Sequence, residues 1–211
     1  MIFFRFLTYN KFRARTWPHL AQNDRLEAYQ KLENIQAEKQ HRPPCEVVAI
    51  PMENGTYGTF SQIENVIYLN ENCIMDPYLV YQGMFTIFHE GRHAYQHYIC
   101  FRKEKLHKWS TAYRWRKNIL GYEQGTEDTF SFYSMQPIER DANRYALNRL
   151  KQFHRRYQYD PLYDATVKLC ERILVEEKLK AKKDLGLFHR WKINKNIEKN
   201  IEERSDIFLD D

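Results

Sequence analysis

A chain of 211 residues with a formal net charge of +5 is long enough for one substantial core with a helical extension and too short for two large domains. Its 15 Tyr, 13 Phe and 4 Trp stand beside only 7 Gly and 7 Pro, which excludes low-complexity disorder, and the small charge excess leaves only a weak attraction for acidic partners. Cys45, Cys73, Cys100 and Cys170 lie far apart with no C-x-x-C pair, a pattern that argues against a zinc ribbon or dithiol redox centre and fits reduced thiols in a cytoplasmic protein.

Residues 1–7 are apolar but interrupted by Arg5, too short for a signal sequence, and are expected to form a strand. No stretch reaches the apolar length that crosses a bilayer. Asp24 is placed to cap a helix whose Leu26, Tyr29, Leu32 and Ile35 recur at helical spacing, with Pro43 and Pro44 closing its lead-out. Glu46 to Pro51 is a short β-branched run ended by proline, hence a strand. Asn54 to Gly58 supplies turn residues before a strand through Phe60, and Val66 to Asn70 is the clearest strand of the chain. Together these predict a small antiparallel sheet, whose edge can pair with an extended peptide.

From Pro77 to about Phe101 the pattern is helical, with Phe85, Phe88 and Ile99 on a buried face, and it contains His89-Glu90-Gly91-Arg92-His93. Four residues apart on a helix, His89 and His93 project from one face about a turn from each other, so both can bind one Zn²⁺ ion. Glu90 then lies beside the metal, placed to act as a general base toward water. His97 is two turns from His89, about 12 Å along the axis, and cannot join them. The metzincin pattern fails as well, because Gln96 stands at its glycine and Ile99 at its third histidine.

A third ligand is therefore sought elsewhere. Two basic tracts with interleaved aromatics, residues 102–117 and 188–195, are mixtures that can grip phosphates and stack on bases. Gly121 to Thr129 is a polar loop. Beyond it Pro137 opens a helix whose Ile138, Ala142, Tyr145, Ala146 and Leu150 form an inner face. Glu139 in its first turn completes a three-ligand zinc site with His89 and His93; Asp141, about 200° around the same helix, is the competing candidate. Asn143, one turn past Glu139, is placed to accept the N–H of a ligand histidine. Tyr122, Tyr133, Tyr145 and His107 are candidate donors to an oxyanion. A further helix runs from Pro161 to about Leu179, before the second basic tract and an acidic end.

H-E-x-x-H on one helix, followed on another by Glu139-Arg140-Asp141-Ala142-Asn143-Arg144-Tyr145-Ala146, with Val66-Ile67-Tyr68-Leu69-Asn70 as a strand ending in Asn ahead of them, resembles the ImmA/IrrE group of small gluzincin-type zinc metallopeptidases. The resemblance covers about Ala49 to Leu150. It implies a compact zincin-like fold, zinc, and site-specific cleavage of a peptide or protein substrate. The chain departs from the family in the long gap between His93 and Glu139 and in Arg92 to Gln96, where small residues are usual.

The expected architecture is α+β: a small, mostly antiparallel sheet packed against the H-E-x-x-H helix and the glutamate helix. Residues 1–158 form the metallopeptidase domain and 159–211 a C-terminal helical extension packed on it. The expected function is zinc-dependent peptide hydrolysis with Glu90 as general base. The rival is a zinc-bearing protein without turnover that binds nucleic acid or a protein through the two basic tracts.

Overall fold

The computed structural model describes residues 8–53, 55–102, 106–108, 110–126, 129–157, 161–186 and 188–207. The strand expected over residues 1–7 lies outside them. The first long helix, α1, spans Gln22–Gln40 and starts ahead of the expected Asp24 cap. Ala21 takes the cap position without a side-chain bond, while Asp24 sits in the first turn, where its charge meets the positive end of the helix dipole. Ala28, Tyr29 and Leu32 are fully buried on its inner face. His41, at φ 52°, ends the helix in the left-handed conformation.

Strands β1 (Glu46–Ile50), β2 (Gly58–Ser61) and β3 (Val66–Asn70) form a sheet of order β1-β3-β2. The hairpin of β2 and β3 is antiparallel as expected, turning through Asn65 at φ 55°. β1, however, pairs parallel to β3, so the sheet is mixed and the expectation of a mostly antiparallel one is corrected. The cause is topological: after β1 the chain passes to the far edge to make β2, and the hairpin then returns β3 to the middle. β3 is accordingly the most buried strand, with Ile67 and Leu69 at 0% exposure.

Asn70 closes β3 and braces the chain on both sides of the strand end, since its amide donates to the Thr56 carbonyl and its side-chain oxygen accepts from the Asn72 N–H. A short helix, α2 (Asn72–Met75), and a 3₁₀ turn at Pro77–Leu79 lead into α3, Val80–Phe101. The core side of α3 is made by Val80, Tyr81, Met84, Ile87 and Phe88; Phe85 and Ile99, expected on that face, are half-buried. Two glycines let α1 and its lead-out approach α3. A Cβ on Gly83 would overlap the Tyr29 hydroxyl, and one on Gly91 would lie 2.8 Å from Glu33 Oε2 and 3.0 Å from Arg42 Nη2. Glu33 and Arg42 form a fully buried, bidentate ion pair beneath the H-E-x-x-H segment.

The remaining helices are α4 (Thr111–Leu120), α5 (Phe130–Met135), α6 (Pro137–Tyr157), α7 (Pro161–Leu185) and α8 (His189–Ile207). Pro137 occupies the first position of α6, where a missing N–H costs nothing. α5 was not expected from the sequence, whereas α7 and α8 fall in the expected C-terminal helical extension over 159–211. The chain groups into two compact units, Met1–Tyr95 with Arg144–Cys170, and Gln96–Asn143 with Glu171–Asp211; the dividing points fall within α3, α6 and α7. The first unit contains the sheet and an aromatic-rich core in which Phe12, Trp17 and Tyr29 have ring centroids 5.0–5.4 Å apart. The second has its own cluster of Met135, Ala181, Leu185, Ile193 and Ile197. The architecture is α+β, and among the described residues no helix is long and apolar enough to cross a membrane.

Candidate metal centre

Helical spacing on α3 brings the two motif histidines together as their sequence positions require. Their Nε2 atoms are 3.0 Å apart, with ring centroids at 4.7 Å and planes at 78°. Two zinc bonds of about 2.0–2.1 Å meeting at a tetrahedral angle would hold their nitrogens about 3.3 Å apart, so the pair is close to the spacing that one ion needs. Among the described residues, one group of His, Cys, Asp or Glu side chains can hold a metal ion: the ligating atoms of His89, His93 and Glu139 all lie within 4.8 Å of one another. Two imidazole nitrogens and one carboxylate are a donor set that zinc takes while keeping a fourth position for water.

Glu139 sits in the first turn of α6 with 1% of its surface exposed. Burying a carboxylate is costly unless it is hydrogen-bonded, and the Tyr122 hydroxyl donates to its Oε1 at 2.7 Å. Burial, with the nearby Glu139 charge and Tyr133 adding to it, holds the Tyr122 phenol far above its ordinary range, so it remains a donor. The start of α6 is itself pinned by buried amides. Asn118 Oδ1 accepts the Ile138 N–H at 3.0 Å, and Asn118 Nδ2 donates to Gln136 Oε1 at 2.7 Å. The first of these bonds satisfies a donor that a helix N-terminus leaves open.

Gln96, three residues beyond His93, donates to the Ile138 carbonyl at 3.0 Å and to Asp141 Oδ2 at 2.9 Å. Asp141 thereby has Gln96 as a donor, and the acidic residue in the convergent group is Glu139. By sequence, Gln96 stands out only as a misfit to the metzincin pattern. Its actual partners are 42 and 45 residues away, and nothing local announces them.

Glu90, half-buried, faces the first residue of β2: a Cβ on Gly58 would lie 3.7 Å from Glu90 Cγ and would crowd Thr86 Cγ2 and the Tyr68 carbonyl. Only glycine lets the strand lie this close to α3. The edge strand β2 therefore begins beside the candidate base.

The other sequence candidates separate. The Tyr145 hydroxyl donates to Gln36 Oε1 at 2.7 Å, and the Arg92 guanidinium lies over its ring at 4.9 Å. Burial raises its pKa. Tyr145 is thus a strut between α6 and α1 rather than a placed oxyanion donor. Tyr133 has its ring edge-on to Tyr122 at 6.1 Å. Asn143 forms no side-chain hydrogen bond among the described residues, so the expected tautomer-fixing contact is not made. His97 packs its ring 4.6 Å from that of Phe101, and burial lowers its pKa. His107 is exposed.

Much of the basic tracts is used within the fold. Arg116 donates to the Cys100 carbonyl, Lys117 pairs with Glu198 at 3.0 Å, and Lys195 lies over the Trp191 ring. Comparison of the chain with family models, with curated proteins and with solved structures finds no match.

Proposed function

We propose that this chain is a cytoplasmic zinc metallopeptidase with a zincin-like fold of gluzincin type, similar to the ImmA/IrrE group, and that it cleaves an internal bond of a peptide or protein substrate. The observation that carries the reading is the convergence of His89, His93 and Glu139 next to Glu90. A buried carboxylate brought to two imidazole nitrogens gains little unless a cation joins them. The four cysteines are free and buried, which suits a reducing compartment.

His89, His93 and Glu139 would hold the ion. When bound, zinc supplies a Lewis acid that polarises a carbonyl and lowers the pKa of a coordinated water. Glu90, adjacent in sequence to His89, accepts the proton of the attacking water as its oxygen bonds to the carbonyl carbon. It then delivers that proton to the departing nitrogen as the C–N bond breaks. Among the tyrosines, Tyr145 donates to Gln36, Tyr122 donates to Glu139 and Tyr133 packs edge-on against Tyr122, so none of them is assigned as the donor to the oxyanion. An extended substrate added to the edge of β2 would run beside Glu90, with backbone hydrogen bonds supplying affinity.

The test is a Glu90→Gln variant compared with wild type, both zinc-loaded, on an unstructured peptide library read by mass spectrometry. Wild type should generate discrete fragments, a chelator should abolish them, and Glu90→Gln should keep zinc while losing cleavage. Cleavage that survives Glu90→Gln or the chelator would end the proposal. Zinc binding without any cleavage would favour a non-catalytic metal protein.

A further inference from the structure

We infer that Tyr122 is the positioning residue for the Glu139 carboxylate, and that the C-terminal helix α8 holds Tyr122 in place, so that α8 governs metal affinity without contributing a donor. The inference rests on the metal-centre reading of His89, His93 and Glu139. A carboxylate ligand has two oxygens and free rotation. A hydrogen bond to one of them fixes the plane and presents the other, which removes an ordering cost from metal binding. The Tyr122 hydroxyl makes that bond to Glu139 Oε1 at 2.7 Å.

Tyr122 belongs to no helix or strand, and residues in such segments need outside anchors to hold a side chain still. Its two neighbours supply them, both through α8. The Glu123 carboxylate accepts from Asn196 Nδ2 at 2.7 Å and from Asn200 Nδ2 at 3.1 Å, and Asn200 Nδ2 also donates to the Gly121 carbonyl at 3.3 Å. Asn196 and Asn200 are four residues apart on α8 and therefore share a face. Gly121 lies so close to the Ile197 carbonyl of α8 that any Cβ there would overlap it.

The opposite side of the same segment is tied to the start of α6. The Glu123 N–H donates to Gln136 Oε1 at 3.0 Å, and Gln136 Nε2 donates to the Glu123 carbonyl at 2.8 Å. Gln136 immediately precedes the helix that carries Glu139. α8 itself is seated by Ile193 and Ile197 in the cluster with Met135, Ala181 and Leu185, and by Glu198 on Lys117. The path from Asn196 and Asn200 through Glu123 and Tyr122 to Glu139 is therefore a continuous chain of direct contacts.

The experiment measures zinc affinity by competition with a chromogenic chelator for the full-length wild type, Tyr122→Phe, the Asn196→Ala/Asn200→Ala pair, and all three substitutions together. Melting of the zinc-free proteins and the visible spectrum of the cobalt-loaded ones are recorded alongside. Removing the hydroxyl should weaken zinc by about 10–100-fold, and removing the two amides by about 10-fold, at little cost to zinc-free melting. The triple variant should bind no more weakly than Tyr122→Phe, because the amides act through that hydroxyl. The cobalt spectrum should change in Tyr122→Phe. Wild-type zinc binding with Tyr122→Phe within about twofold of it, or full additivity in the triple variant, would overturn the inference and leave the metal centre standing. Absence of zinc binding by wild type would instead remove the metal centre, and the inference with it.

Discussion

Substituting Arg42 by Ala should destabilise the protein more than its place just after α1 suggests. Arg42 and Glu33 have side-chain exposures of 1% and 0%, and their two parallel bonds are 2.6 and 2.9 Å long. Arg42 also donates to Gln40 Oε1 at 2.8 Å and to the Pro43 carbonyl at 3.0 Å. Without the guanidinium, the Glu33 carboxylate would keep the Cys45 N–H, at 3.0 Å, as its remaining protein donor in these contacts. Removing one member of a buried pair costs about 3–5 kcal/mol, because the other charge stays desolvated. At about 2–4 °C per kcal/mol for a chain of this size, the melting temperature should fall by about 6–20 °C. Glu33→Gln combined with Arg42→Met should recover part of that loss, since no charge is then stranded and the Gln oxygen still serves Cys45. The assay is thermal unfolding followed by circular dichroism at neutral pH. Arg42→Ala melting within about 2 °C of wild type would refute the reasoning.

The same pair makes Gly91→Ala informative: its Cβ would meet Glu33 Oε2 at 2.8 Å and Arg42 Nη2 at 3.0 Å, both held in the ion pair. The substitution should cost about 1–3 kcal/mol by overpacking and weaken zinc binding by moving the backbone between His89 and His93, measured by melting and chelator competition. Because Cys45, Cys73, Cys100 and Cys170 are buried, a thiol reagent at mildly alkaline pH should titrate them only after unfolding. Burial pushes the Cys45 and Cys73 thiols up to about 12 and Cys100 to about 11, from an ordinary 9.0. The folded state then keeps protons that the unfolded state has released, so this contribution is intact below pH 9.0 and is lost as pH rises toward 12. Melting temperatures recorded across that interval should decline, and less steeply when Cys45 and Cys73 are replaced by Ala.

What could be read from the sequence was what local patterns encode. The histidine pair of α3 follows from helical spacing alone, β3 from a run of β-branched and aromatic residues, and Glu139 from its place in the first turn of a helix opened by Pro137. Features set by distant partners were not legible. β1 pairs with β3 rather than with β2, the next strand in the chain, and a strand sequence does not name its neighbour. The buried pair of Glu33 and Arg42 was not legible, because those residue types are seldom fully buried and nothing local announces the pairing. Tyr122 was one of four candidate oxyanion donors until its bond to Glu139 gave it another task. α8 lies within the expected C-terminal helical extension, and Ile193, Ile197 and Ile201 recur in it at four-residue intervals, but its bounds and its neighbours are not encoded locally. Glu139 and Asp141 differed only by angle around a helix. It is Gln96 that separates them, by holding Asp141.

The proposed metal ligands are tested most directly by zinc stoichiometry of the purified, reconstituted chain, determined by elemental analysis for wild type and for His89→Ala, His93→Ala, Glu139→Ala and Asp141→Ala. The proposal predicts one zinc per chain in wild type and in Asp141→Ala, and loss of tight binding in the other three. A wild-type protein that retains no zinc, or a Glu139→Ala protein that keeps full affinity while Asp141→Ala loses it, would contradict the account.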